Sequence, residues 1–159
     1  MSESYIKIMI ESLEQKSSVL DQVMVLDKEQ EKIVLSSEPD LDALDKNTRQ
    51  IGALAEKLNR LDDGFETVYS HVREDLQENK DRYKNEILRL KELISEVTEK
   101  SMKVQTEESV NRERAKRCFD EKRRNIGGKR RSVNAASAYS KNMRNSSAVS
   151  DSFFLDKAK

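Results

Sequence analysis

The sequence predicts an all-α fold: an elongated antiparallel three-helix bundle or coiled coil with a flexible C-terminal tail. Charged residues make up 38% of the 159 residues and apolar ones 35%, whereas Gly, Pro and Trp are rare. Such a composition favours long amphipathic helices over a compact mixed sheet. Apolar residues also recur at alternating steps of three and four, which is the spacing of left-handed coiled-coil packing. We therefore expect a helical bundle over residues 1–124 and a mobile basic tail over residues 125–159.

The first predicted helix covers residues 2–36. Its apolar stripe contains Ile6, Ile10, Leu13, Leu20 and Met24. Asp27 and Gln30 resemble a helix N-cap and its reciprocal partner, a pattern compatible with a break or kink near residue 27. The helix should end within residues 36–40, because Pro39 disfavours helix in the residue before it and Asp40 can cap the next helix.

The second predicted helix covers residues 40–78. Eleven positions between 41 and 76 form its seam, and nine of them are apolar; the exceptions are Thr48 and Asp62. The spacing stays in phase across Gly64, so we expect the helix to continue there despite a glycine cost of about 1 kcal/mol. Residues 77–81 include no apolar side chain and predict the second turn.

The third predicted helix covers residues 81–124. Its seam is largely apolar as far as Val104 and then meets Glu108 and Asn111. Two interpretations of these residues and of Asp62 stay open. Either the bundle frays or widens at these positions, or the polar side chains make buried contacts that fix the register or mark a docking surface.

Charge is unevenly distributed along the chain. Residues 1–111 carry 16 Lys and Arg against 25 Asp and Glu, whereas residues 112–159 carry 14 against 5. An acidic body with a basic end indicates a binding tail, or a terminus that folds back on the body. The basic stretch 112–131 would also suit phosphate backbones. Only Phe119 is present there to stack on bases, so contact with an acidic protein surface is favoured and no nucleic acid is expected.

The sequence contains no catalytic constellation, and we expect neither enzyme activity nor a cofactor. One histidine and one cysteine, His71 and Cys118, cannot supply a zinc site. We interpret them as a solvent-edge histidine and a thiol at a helix edge. The single cysteine, the lack of a signal-peptide pattern and the lack of a membrane-spanning apolar run predict a cytoplasmic protein without membrane insertion.

The predicted tail contains two short apolar groups that are candidates for partner binding. The first could share one face of a transient helix, and the second lies near the C-terminus. Their candidate binding residues are Val133, Ala136, Tyr139 and Met143 in the first group, and Phe153, Phe154 and Leu155 in the second.

Several segments resemble FlgN-type flagellar export chaperones of clostridial bacteria. They are YIKIMIESLEQKSSVLDQV, DKEQEKIV, LNRLDDGFETVYSHV and VQTEESVN, followed in the tail by SVNAASAYSKNM and SDSFFLDKAK. The fourth is similar to an Ile/Val-Gln-x-x-Glu-x-x-Asn pattern, which Val104, Gln105, Glu108 and Asn111 match. The resemblance covers almost the whole chain.

The resemblance implies a cytoplasmic chaperone of flagellar type III secretion. Members of that family keep hook-associated proteins of the hook–filament junction from assembling prematurely and escort them to a component of the export gate. In the family, the C-terminal part of the chaperone engages these helical clients. The alternatives are a structural coiled-coil scaffold or tether, in which the seams pair between chains, and a nucleic-acid-associated helical protein. A homodimer is possible whether the seams pack within one chain or pair between chains.

Overall fold

The protein is described here from a computed structural model that covers residues 2–122. Three helices follow one another, α1 (Ser2–Leu35), α2 (Leu41–Glu78) and α3 (Lys84–Lys122). They have 34, 38 and 39 residues, so each is roughly 50–60 Å long at 1.5 Å per residue. The predicted all-α three-helix bundle is confirmed. The predicted tail, 125–159, lies outside the described residues.

The helix ends follow local chemistry. Asp40 is the N-cap of α2, and its side-chain oxygen accepts hydrogen bonds from the backbone N–H groups of Asp42 and Ala43. The capping that the sequence predicts for Asp40 is therefore present. The second turn comprises residues 79–83 instead of 77–81, because Asn79 ends α2 with its backbone N–H bonded to the carbonyl of Asp75. Helix α2 runs unbroken through Gly64, as the phase of its seam predicts.

The break or kink considered near residue 27 is not found. Helix α1 continues through Asp27, whose side chain is fully buried. The reason is positional: residue 27 falls on the face of α1 that packs against the other helices, so tertiary packing and not local capping sets its environment. The N-cap interpretation of Asp27 was wrong.

Helix α1 is the central element of the bundle. It packs along both α2 and α3, whereas no Cα atom of α2 lies within 8 Å of a Cα atom of the described part of α3. Helices α1 and α2 are antiparallel, because Lys16 contacts Asp62 whereas Gln30, later in α1, contacts Asn47, earlier in α2. Asn111 of α3 bonds to α1 at Asp27, and Arg82, just before α3, bonds to Glu3. Helices α1 and α3 are therefore parallel.

The core changes character along the bundle axis. We call the end near the second turn the apolar half, because its buried residues are almost all hydrophobic. They are Ile6, Met9, Leu13, Phe65, Tyr69, Val72, Leu76, Tyr83, Leu90 and Leu93. A second cluster occupies the middle, and a third near the first turn holds only Val34, Leu44 and Ala115 in its buried core. Most of the buried polar side chains lie between the second and third clusters; the others are Lys16, Ser17 and Ser101.

Candidate functional site

Two features of the described residues are candidates for function: a buried polar layer and an apolar cleft. The polar layer consists of buried side chains from all three helices, at 7% exposure or less. They are Asp27 and Gln30 of α1, Asn47 and Thr48 of α2, and Glu108 and Asn111 of α3. Buried polar groups are costly unless they are hydrogen-bonded, so their contacts decide what this layer does.

Amide side chains connect the helices across the polar layer. Gln30 Nε2 donates to Asn47 Oδ1 at 3.1 Å, and Asn47 Nδ2 donates to the backbone carbonyl of Leu26 at 2.9 Å. On the other side, Asn111 Nδ2 donates to the backbone carbonyl of Asp27 at 2.8 Å. A shift of α2 or α3 along α1 would separate these partners and leave buried polar groups unsatisfied, at a cost of about 1–3 kcal/mol each. We therefore infer that the polar layer favours this register over shifted ones.

The surroundings of the Asp27 carboxyl favour its protonated form. Burial, and then the neighbouring Glu108 carboxyl, raise its pKa from 3.8 to about 9. Within the described residues, no N–H group or hydroxyl donates to either carboxyl oxygen of Asp27. A proton shared with Glu108 supplies a hydrogen bond, since two adjacent buried carboxyls avoid repulsion by holding a proton between them.

Charged side chains surround the edge of the polar layer. Lys28 Nζ lies 3.5 Å from Glu107 Oε2 and 3.4 Å from Glu31 Oε2, and Arg114 lies 3.6 Å from Glu31 Oε1. Burial and the adjacent Glu31 carboxyl raise the pKa of Glu107. The Lys28–Glu107 and Glu31–Arg114 pairs link α1 to α3 at the rim, where solvent screens them and each contributes little.

The sequence-predicted residues of α3 separate into two environments. Glu108 and Asn111 are buried and meet Asp27, whereas Gln105 is half-buried on the same helix. Because Glu108 and Asn111 are buried, the bundle does not fray at these positions. Their buried contacts with Asp27 favour the interpretation in which polar side chains fix the register. Asp62 is half-buried and forms an ion pair with Lys16 at 2.6 Å, linking α1 to α2.

The candidate tail residues cannot be placed in the same way. Val133, Ala136, Tyr139, Met143, Phe153, Phe154 and Leu155 all lie outside the described residues. Their role in binding stays a prediction.

Sequence reasoning missed Asp27 and Glu107 as members of the polar layer and its rim. A signal for Asp27 was present, because steps of three and four from Leu20 through Val23 lead directly to Asp27, Gln30 and Val34, all of which are buried. If Asp27 and Gln30 are assigned to the seam of α1 and not to a cap, the sequence predicts that both are buried in the core.

The apolar cleft lies at the other end of the bundle, where α2 ends and α3 begins. It has a volume of about 310 Å³, and its apolar lining comes from Tyr69, Leu76, Ile87, Leu88 and Leu90. Leu88 is 51% exposed, although its neighbours Leu76 and Leu90 are buried. Lys80, Lys84 and Lys91 stand at its edge with Asp81. The cleft is thus an apolar surface with a mostly basic rim.

The residues considered for chemistry have structural surroundings. His71 is exposed, as predicted, and its ring stacks on Tyr5 with centroids 5.4 Å apart. Cys118 is buried at 6% exposure and not at a helix edge, because it continues the seam of α3. Across residues 2–122, no group of three or more His, Cys, Asp or Glu side chains is placed to hold a metal ion. None of the helices in that range has an apolar stretch of membrane-spanning length.

Comparisons with protein-family models, curated proteins and solved structures found no match to this chain.

Proposed function

We propose that the protein is a chaperone of flagellar type III secretion that binds hook-associated proteins of the hook–filament junction. It would prevent their premature assembly and deliver them to the export gate. The proposal starts from the resemblance to FlgN-type chaperones, which extends over almost the whole chain. A binding protein of this kind needs a stable body and a separate segment that can fold on a client.

The observation that carries the proposal is that the seams of α2 and α3 pack on α1 within one chain. Among the described residues, the seams of α1, α2 and α3 bury one another in shared clusters. A structural scaffold would instead use its seams to pair separate chains.

Charge supports a client-binding role for the C-terminal segment. Residues 123–159 carry nine Lys and Arg against two Asp, whereas the first 122 residues carry 21 against 28. Positive charge around an apolar segment speeds its encounter with acidic surfaces. We assign the client-facing ridge to Val133, Ala136, Tyr139 and Met143, with Phe153, Phe154 and Leu155 as a second contact.

The ridge can be tested by calorimetry of the full chain with a purified hook-associated protein. We expect the double variant Tyr139→Asp/Met143→Asp to weaken binding at least tenfold, because two charges would enter the apolar contact. The matched control is Asn134→Asp/Asn145→Asp. It adds the same charge at positions that, at 100° per residue, lie on the opposite face of a helix, and it should bind within about twofold of the unmodified chain.

Two results would count against the proposal. Equal affinity of the two double variants would discard the ridge, and no binding by the unmodified chain would discard the chaperone assignment. A mass in solution of a dimer or larger, lost on substitution of seam residues, would favour the scaffold alternative.

A further inference from the structure

The apolar cleft between the end of α2 and the start of α3 has room for additional side chains. Its buried floor is continuous with the apolar half of the core, through Tyr69, Leu76 and Leu90. Leu88, half of whose surface is in contact with solvent, forms one wall. The cleft exists because α2 and α3 both pack on α1 without approaching each other closely. An apolar segment placed there would cover the open side of the core.

The rim of the cleft specifies the charge of its occupant. Three lysines, Lys80, Lys84 and Lys91, line it with a single carboxylate, Asp81. Such a rim favours an apolar segment flanked by acidic side chains and disfavours a basic one.

We propose that the cleft binds residues 151–156 of this same chain, Asp-Ser-Phe-Phe-Leu-Asp. Phe153, Phe154 and Leu155 would enter the apolar floor, and the flanking carboxylates would face the lysines. The charge pattern is specific, because Asp151 and Asp156 are the two acidic residues among the last 37 and they bracket this apolar group. The rest of that region is basic and would not suit the rim.

The segment can reach the cleft within one molecule. From Lys122 back to Leu88 along α3 is roughly 50 Å at 1.5 Å per residue. The 28 residues between Lys122 and Asp151 can span up to roughly 95 Å when extended at about 3.3 Å per residue. Docking in cis is therefore within reach, and the tether raises the effective concentration of the segment at the cleft. The inference does not depend on the proposed export function, since neither it nor its test involves a client.

Disulfide trapping in the full chain tests the proposal. In a Cys118→Ala background, the pair Leu88→Cys and Ser152→Cys should form an intramolecular disulfide in a glutathione buffer. The matched control replaces Leu88→Cys by Met102→Cys, an exposed position on α3. Residue 102 is about 21 Å nearer to the start of the tail, so random motion alone would favour the control pair. We expect the Leu88 pair to cross-link at least tenfold faster, as measured by intact mass and non-reducing electrophoresis.

Two further variants test recognition on the cross-linking background. Phe153→Gln/Phe154→Gln, which removes the aromatic rings without adding charge, should lower the rate to that of the control. Lys84→Glu/Lys91→Glu should also lower it, and adding Asp151→Lys/Asp156→Lys should restore it by exchanging the charges. Helical circular dichroism of each variant checks that the bundle is intact.

Each other outcome overturns a defined part of the proposal. Equal rates for the Leu88 and Met102 pairs would show that the segment does not dock. Covalent dimers in place of the cross-linked monomer would show that the tail of a second copy fills the cleft. Charge reversal without effect would remove the lysine rim from recognition.

Discussion

The apolar half and the polar layer solve the same packing problem in different ways. In the apolar half, side chains such as Met9, Val72 and Leu90 are at most 1% exposed and interlock without hydrogen bonds. The polar layer uses Gln30, Asn47 and Asn111, which are also buried but bond across helices. Hydrophobic contact is non-directional, so it stabilises the bundle without choosing a register. Directional bonds choose the register and add less stability.

The largest expected effect lies in the apolar half. Leu90→Ala should lower the free energy of unfolding by about 2–5 kcal/mol, because it removes a side chain that is 1% exposed and leaves a cavity. Leu88→Ala on the same helix is the matched control, since Leu88 is 51% exposed, and it should cost less than about 1 kcal/mol. Urea denaturation of both variants measures the difference. Equal losses would contradict the assignment of Leu90 to the core.

In the polar layer, Asn111→Ala should lower the free energy of unfolding by about 1–3 kcal/mol, because it removes a buried side chain and its hydrogen bond to the backbone carbonyl of Asp27. Asn85→Ala, at an exposed position of α3, is the control and should change stability by less than about 0.5 kcal/mol.

If the polar layer fixes the register, Asn111→Leu should retain much of the stability but broaden the amide signals in the nuclear magnetic resonance spectrum. A single sharp spectrum for Asn111→Leu would remove the register role.

The polar layer should also make stability depend on pH. Because Asp27 keeps its proton in the folded state up to about pH 9 but titrates near 3.8 when unfolded, its contribution is complete at low pH. It is lost as pH rises between these values, by at most about 1.4 kcal/mol per pH unit. Asp27→Asn should flatten that slope relative to the unmodified chain, whereas Asp63→Asn, at an exposed position, should not. If the free energy of unfolding depends on pH with the same slope in the unmodified chain and in both variants, Asp27 is not protonated in the bundle.

The smallest expected effect is at the first turn, beyond the polar layer. Asp40→Ala should lower the free energy of unfolding by about 1 kcal/mol, because the first N–H groups of α2 lose their acceptor. Glu38→Ala, at an exposed position in the same turn, is the control and should have little effect. Thermal denaturation measures both variants, and a Glu38 effect as large as that of Asp40 would assign the loss to the turn as a whole.

Periodicity in the sequence predicted most of the helical architecture. Seam positions from Leu44 to Leu76 are buried in α2, apart from Asp62, because a spacing near 3.5 residues keeps one face toward the partner helix. The cap at Asp40 was also predictable, since Asp after Pro39 and before an apolar run is a local signal. These features depend on near neighbours in the sequence.

Features that depend on distant residues were harder to predict. Asp27 and Gln30 are residue types that fit a helix N-cap pattern. Asp27 becomes a buried carboxyl beside Glu108 only because α3, about 80 residues later in the sequence, packs against it. The apolar cleft depends on the separation of α2 and α3, which no local pattern specifies. Client binding by the tail stays a prediction.

The central position of α1 has a consequence for the order of folding. Its bonds to α2 join residues 17 to 49 positions apart, whereas its bonds toward α3 join residues 79 to 84 apart. Contacts between residues farther apart in the sequence require a larger loss of chain entropy before the stabilising contact forms. We therefore expect an α1–α2 hairpin to assemble first during synthesis, with one flank of α1 exposed until α3 leaves the ribosome and returns alongside it.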